Sequence, residues 1–262
     1  MNFAANLSML YGHLPLADRF AAAAGDGFGA AEILFPYDES PQWYAAQLRK
    51  HGLCLVLVNT PIDPPRYSMG MAAQPEAHAL FRDSFETALA LCRSTGCHAV
   101  HVMPGLIDPG LPVQEQRAVF LDNLQWAAQQ DREITLHLEP LNQIDVPAYF
   151  YHCPDEAVAI LGVLNEPNIG LQFDFYHVVK QGLDLTDELQ KNRHWVRHVQ
   201  VAGSPQRDEP DLELNGLLSG FEELHRTGYP GSVGFEYRPR GSVGAGLEWA
   251  RPLVDNGWAS WV

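Results

Sequence analysis

Four side chains that carry oxygen atoms end or directly follow apolar segments in the second half of the chain. They are Glu139, Asp174, Gln200 and Glu236, separated by 35, 26 and 36 residues. One strand–helix unit of a parallel α/β barrel occupies roughly 30 residues. Side chains at the carboxyl ends of barrel strands face one shared opening, so we expect these four to meet there. A single one would more often be a surface or capping residue, but four at equivalent positions favour a common site.

The composition of this group predicts a metal site. Three carboxylates cannot converge without a compensating charge, because mutual repulsion and desolvation would protonate some of them. A bound divalent cation resolves the conflict. Three carboxylates and an amide oxygen suit Mg²⁺ or Mn²⁺ better than zinc, which favours nitrogen and sulfur ligands. We therefore predict a Mg²⁺ or Mn²⁺ site.

Short apolar segments alternate with helix-like segments along the whole chain and predict eight parallel strands. The strands are predicted at 2–7, 30–35, 53–59, 98–103, 134–139, 169–174, 198–202 and 233–237. Ser40 and Pro41 are typical of a helix start, and Gly52 is typical of a helix end. The first strand lacks a following GxGxxG motif, which disfavours a doubly wound open sheet. The prediction is an α/β fold, a (β/α)₈ TIM barrel in which residues 1–262 form a single domain.

Charge and composition limit the partners. The formal net charge of −15 disfavours nucleic-acid binding and requires local cations to capture any anionic substrate. The four cysteines form no CxxC pair, and no signal peptide or membrane-length apolar segment is present. We expect a cytoplasmic protein without a membrane partner, and a homo-oligomer stays open. Cys54 lies in an apolar run and is predicted to be buried, while residues 60–74 are either a mobile lid or a long connection.

Five segments carry a specific resemblance. They are ANLSML at 5–10, FPYD at 35–38, LEPLN at 138–142, QFDFYH at 172–177 and GFEYRP at 234–239. Together they resemble the hydroxypyruvate isomerase family of the xylose isomerase-like barrels, whose relatives include the ketose 3-epimerases. The resemblance spans about residues 3–249. It implies that the four oxygen-bearing residues ligate the metal and that Glu139 and Glu236 are also catalytic. Gln200 differs from the epimerases, which usually have histidine there.

The resemblance implies conversion of hydroxypyruvate to tartronate semialdehyde through an enediolate. Two carboxylates would move the proton, and the metal would stabilise the oxyanion. Residues 58–61 and 210–214 depart from the family pattern in expected substrate loops, which leaves a 2-oxo-tetronate isomerase or a ketose 3-epimerase as alternatives. A metal-dependent nuclease shares the barrel but needs a basic groove. A non-catalytic sugar-acid-binding protein would tolerate loss of one glutamate.

Five residues are predicted to bind substrate. His177, three residues after Asp174 in a matched motif, can hydrogen-bond a substrate oxygen; the alternative is a loop histidine without a role. Arg207 is the first candidate for gripping a substrate carboxylate with two hydrogen bonds, and the alternative is a solvated arginine. Asn142 and Asp145 can position the substrate, and Arg66 is a second carboxylate candidate.

Two further histidines lie in predicted strands. His101 is near the end of the fourth strand and can line the opening. His137 lies two residues before Glu139, where packing or support of a ligand is the expected role.

Overall fold

The computed structural model describes residues 1–64 and 66–261, so Pro65 of the predicted loop and Val262 of the predicted domain lie outside the described residues. Eight strands are found within these ranges. They are β1 (Asn2–Asn6), β2 (Ala30–Ile33), β3 (Cys54–Asn59), β4 (Ala99–His101), β5 (Thr135–Leu138), β6 (Ile169–Asp174), β7 (Val196–Val201) and β8 (Ser232–Phe235). Each pairs in parallel with the next, and β8 pairs with β1 to close the barrel. The predicted (β/α)₈ barrel is confirmed.

Helices connect the strands and cover the outside of the barrel. They are α1 (Leu16–Gly25), α2 (Pro41–His51), α3 (His78–Thr95), α4 (Val113–Gln130), α5 (Pro154–Leu164), α6 (Phe175–Lys180), α7 (Leu185–Asn192), α8 (Leu217–Arg226), α9 (Val243–Gly246) and α10 (Arg251–Asp255). α2 begins and ends where the sequence predicts, after Ser40 and before Gly52. The Trp43 backbone N–H donates to the Ser40 hydroxyl at 3.2 Å, and Gly52 ends the helix at a φ of 68°. Glycine adopts this left-handed conformation without a steric cost.

The strand ends differ from the prediction where the site begins. β5 ends at Leu138 and β8 at Phe235, so Glu139 and Glu236 are the first residues of the following loops. β7 starts at Val196, two residues before the predicted start. All six residues of β6 are buried, as expected for a parallel strand covered on both faces. The barrel therefore presents the predicted residues at one end, partly from loops.

The end of the long 60–74 segment is an ordered connection. The Ala72 N–H donates to the Met103 carbonyl at 3.2 Å, and Asn123 Nδ2 donates to the Ala72 carbonyl at 2.8 Å. Gly70 has a φ of 103°, and a Cβ there would lie 2.3 Å from the Met103 carbonyl oxygen. These contacts hold residues 70–74 against the segment that follows β4.

One predicted burial is wrong. Cys54 is exposed because it is the first residue of β3, beyond the cover that the helices give to the middle of the strand. Among the described residues, no helix combines the length and apolar character needed to cross a membrane.

Candidate active site

Three of the predicted carboxylates lie together at the carboxyl-terminal opening of the barrel. Glu139, Asp174 and Glu236 are 5%, 2% and 5% exposed. Asp174 also caps α6, because its Oδ1 atom accepts the Tyr176 backbone N–H at 2.8 Å. This bond fixes the carboxylate and directs its other oxygen, Oδ2, towards the neighbouring charged groups.

Arg207 binds two of these carboxylates. Its Nη2 atom lies 2.9 Å from Glu236 Oε2 and 3.5 Å from Asp174 Oδ2. Its Nε atom donates to the Glu236 backbone carbonyl at 3.3 Å, and the guanidinium lies 5.0 Å from the centre of the Tyr176 ring. The prediction placed this arginine on a substrate carboxylate. In the structure its guanidinium contacts the protein's own carboxylates, and binding of a substrate carboxylate stays a prediction.

Burial favours the protonated forms of the three site carboxylates. Desolvation raises the pKa of Glu236 to about 8, although Arg207 acts in the opposite direction. The pKa of Asp174 is raised to about 6, and burial together with Glu236 raises that of Glu139 well above its usual range. This is the electrostatic conflict that the sequence predicts for converging carboxylates, and a bound cation would relieve it.

His177 joins the carboxylates. Ligand atoms of Glu139, Asp174 and His177 all lie within 4.8 Å of one another, a buried grouping that can hold a metal ion. The Nε2 atom of His177 is 3.5 Å from Asp174 Oδ2 and 3.9 Å from Glu139 Oε1. Burial lowers the pKa of His177 well below its usual value, so the ring is neutral.

The tautomer of His177 follows from its other nitrogen. The Asn142 backbone N–H donates to Nδ1 at 3.2 Å, and Asn142 Nδ2 approaches the same atom at 2.7 Å. Because Nδ1 accepts, the proton of the neutral ring is on Nε2. In this tautomer Nε2 can donate a hydrogen bond but cannot ligate a cation, which leaves cation binding to the carboxylates. That agrees with the predicted role of His177 as a donor to a substrate oxygen.

Buried polar atoms without partners mark where a cation fits. Within the described ranges, Glu139 Oε1 and His177 Nε2 have no hydrogen-bond partner, and neither have the ring nitrogens of His101. His101 Nδ1 is 3.2 Å from Glu139 Oε2, but without hydrogen-bond geometry, and burial lowers the pKa of His101 to about 3. An unsatisfied carboxylate oxygen in a buried site favours a cation as its missing partner. The residues present therefore fit a divalent metal.

Gln200, the fourth predicted ligand, belongs to a polar network inside the barrel. Its Nε2 atom donates to Glu32 Oε2 at 2.9 Å, and its Oε1 atom accepts from Gln172 Nε2 at 2.6 Å. Glu32 also accepts from Asn6 Nδ2 at 3.2 Å and contacts His198 Nε2. Glu32 is not among the predicted residues, although a carboxylate inside the apolar 30–35 segment is a usable signal.

The remaining predicted residues divide into two groups. Asn142 positions His177 and donates to Asp145 Oδ2 at 3.0 Å, and Asp145 also accepts the Tyr176 hydroxyl at 2.7 Å. Both lie next to the carboxylates. Arg66 lies elsewhere: its Nη2 atom donates to the Tyr67 hydroxyl at 3.3 Å, in a separate cavity that none of the three carboxylates lines.

A closed parallel barrel with buried carboxylates and an arginine at its carboxyl-terminal opening has the architecture of a barrel enzyme. The chain belongs to the xylose isomerase-like TIM barrel family, whose model matches residues 20–253. It is 40% identical over 256 residues to a 2-oxo-tetronate isomerase of Cupriavidus necator, covering 96% of this chain and 98% of the relative. It is also 40% identical over 269 residues to a putative hydroxypyruvate isomerase of Mus musculus, covering 97% and 96%.

A solved structure named AP endonuclease, family 2, from Brucella melitensis is also similar. Its TM-score is 0.89, with 38% identity over 96% of this chain and 98% of that one. The expected resemblance to the hydroxypyruvate isomerase family is confirmed by the curated relatives, and the chain is an isomerase.

Proposed function

We propose that the chain interconverts hydroxypyruvate and tartronate semialdehyde with the help of a divalent metal. The convergence of Glu139 and Glu236 with Asp174 in one buried opening carries this proposal, because an enediolate isomerisation needs a carboxylate base and a carboxylic acid at adjacent carbons. Burial raises the pKa of both glutamates, so either can hold a proton near neutral pH. Arg207 at 2.9 Å favours the ionised form of Glu236.

The reaction moves two protons and changes no oxidation state overall. One glutamate removes a hydrogen from C3 of hydroxypyruvate as a proton, and the electron pair forms the C2–C3 double bond of the enediolate. The proton of the C3 hydroxyl passes to the C2 oxygen, and the second glutamic acid protonates C2. His177 Nε2 would donate a hydrogen bond to the C2 or C3 oxygen. The product carries the aldehyde at C3 and the hydroxyl at C2.

The metal would be Mg²⁺ or Mn²⁺, held by Glu139 and Asp174 with Glu236 and Gln200 as the further expected ligands. It would supply positive charge to the developing oxyanion. Carboxylate and amide oxygens fit these hard cations, and the unpartnered Glu139 Oε1 supports the assignment. Gln200 Oε1 accepts one hydrogen bond from Gln172, and its second lone pair would be the one to bind the metal.

The test compares two substrates on one enzyme. Protein stripped with chelator and reloaded with Mg²⁺ or Mn²⁺ is incubated with hydroxypyruvate or with a four-carbon 2-oxo acid, and proton NMR follows both. We expect metal-dependent tartronate semialdehyde formation that Glu236→Gln abolishes and Glu222→Gln, an exposed glutamate on α8, retains. Metal binding without any turnover of hydroxypyruvate would refute hydroxypyruvate as the substrate.

The four-carbon acid is the second candidate, favoured by the Cupriavidus necator relative. Faster turnover of that acid would assign 2-oxo-tetronate isomerisation to the same residues. A nuclease, the activity named for the Brucella melitensis structure, is opposed by the net charge of −15, which repels a phosphate backbone. Nicking of abasic DNA by the metal-loaded protein would support a nuclease activity.

A further inference from the structure

A cavity of 590 Å³ lies on the β8–β1–β2 side of the barrel opening, where its lining residues follow these three strands. Ser8 and Leu34, which follow β1 and β2, line it on one side, and Arg238, which follows Glu236 by two residues, lines it on another. His13 adds a second nitrogen-bearing side chain. The volume lies in the range of small-molecule sites, on the order of 300–1,000 Å³.

The charge of this cavity is opposite to that of the protein. None of its described lining residues is acidic, although the chain as a whole has a net charge of −15. The Arg238 side chain has no hydrogen-bond or ion-pair partner in residues 1–64 and 66–261, and it is exposed. An arginine of this kind presents its full fork of donors to an incoming anion.

Other arginines near the opening are already engaged. Arg207 binds Glu236 and Asp174, and Arg240 binds Glu209 at 2.8 Å and lies 3.6 Å from Asp208. To bind a substrate carboxylate, Arg207 would have to give up these contacts with Glu236 and Asp174. Arg238 can bind an anion without that loss.

Arg238 is also anchored next to the reacting groups. Its backbone N–H donates to the Arg207 carbonyl at 2.9 Å, and the Arg207 side chain binds Glu236. The Arg238 backbone is therefore fixed relative to Glu236, and Arg238 lines the cavity.

We propose that this cavity is the subsite for the carboxylate end of the substrate and that Arg238 is the residue that selects an anionic over a neutral hydroxy-carbonyl compound. The inference rests on the proposed function, because that function supplies the carboxylate. The reacting carbons then lie towards the glutamates and the carboxylate towards Arg238.

The experiment compares Arg238→Gln with Arg240→Gln, which makes the same charge change in the same loop outside this cavity. For the metal-loaded enzyme we expect Arg238→Gln to raise KM for hydroxypyruvate on the order of 10- to 100-fold, as for loss of a hydrogen bond to a charged group, with kcat within about threefold. Dihydroxyacetone, in which a hydroxymethyl group replaces the carboxylate, should bind both variants and the unchanged protein equally. A structural defect caused by Arg238→Gln would instead weaken the binding of both hydroxypyruvate and dihydroxyacetone.

Binding of glycerate by calorimetry separates this inference from the proposed function, because glycerate keeps the carboxylate and cannot isomerise. Glycerate affinity that depends on Arg238 supports the subsite even if no 2-oxo acid is turned over. Turnover of hydroxypyruvate with an unchanged KM and glycerate affinity in Arg238→Gln overturns the subsite and leaves the function standing. Failure of the unchanged protein to bind glycerate also overturns it.

Discussion

Gln200 Nε2 donates to Glu32 Oε2 at 2.9 Å, joining β7 to β2 through the interior of the barrel. The two residues are 168 positions apart in the chain. Gly234 makes room for this contact on β8, because a Cβ there would lie 1.9 Å from Glu32 Oε1. The amide that is expected to bind metal is therefore oriented by a carboxylate below it.

Gly234→Ala should disturb this network. The methyl group must displace Glu32, so we expect a loss of about 1–3 kcal/mol in the free energy of unfolding, as for overpacking of a core. Metal affinity should fall as well, because Gln200 loses its orientation. Gly162→Ala is the control: it lies in α5 with no atom within 4 Å of the added Cβ, and should be neutral or stabilising by about 0.5–1 kcal/mol. Urea unfolding measures the stability of both variants, and metal titration measures their metal affinity. If Gly234→Ala changes neither quantity, the role of Glu32 is contradicted.

The sequence predicts strand-end residues well but contacts between distant strands poorly. Glu139, Asp174 and Glu236 follow from apolar segments, because the end of each segment marks where its side chains reach the barrel opening. The partner of Arg207 does not follow, since its loop geometry, with a φ of 58° at Arg207, is set by tertiary structure. Glu32 lies inside an apolar segment in the first half of the chain, whereas the predicted ligands all lie at the ends of later strands.

Metal-free protein should lose stability as pH rises. The pKa of Glu236 is about 8 in the folded protein against a usual 4.5, so the folded state holds this proton more tightly than the unfolded state. That contribution is complete below about pH 4.5 and is lost as pH rises through about 8; Asp174 acts in the same direction between 3.8 and about 6. We expect the Tm in chelator to fall by several degrees from pH 5 to pH 8.

The pH effect has its own control. Glu236→Gln should flatten this slope, since an amide does not titrate. Added Mn²⁺ should raise the Tm more at pH 8 than at pH 5, because the cation replaces the lost protons. A Tm that rises between pH 5 and pH 8 in the metal-free protein would show that the buried carboxylates are not protonated there.

His177 and Asp174 should separate metal binding from substrate binding. His177→Gln keeps a donor at nearly the same place, and the tautomer set by Asn142 gives Nε2 no part in ligation, so metal affinity should stay within about threefold while KM rises on the order of tenfold. Asp174→Asn removes a ligand charge and should lower metal affinity on the order of 100-fold or more. Calorimetric titration with Mn²⁺ measures the metal affinity of both variants. A large loss of metal affinity in His177→Gln would mean that the His177 ring ligates the metal.

Arg207 should control proton transfer. Its guanidinium lowers the pKa of Glu236 from 2.9 Å, so Arg207→Gln should raise that pKa and move the acidic limb of the kcat/KM–pH profile to higher pH. At pH 7 the rate should fall by about tenfold or more, because each pKa unit changes the ionised fraction about tenfold. Arg251→Gln, which breaks an exposed pair with Glu248, should leave the profile unchanged. A rise in KM without a shift of the acidic limb would instead indicate that Arg207 binds the substrate carboxylate, as the sequence predicts. That result would contradict the proposed role of Arg238.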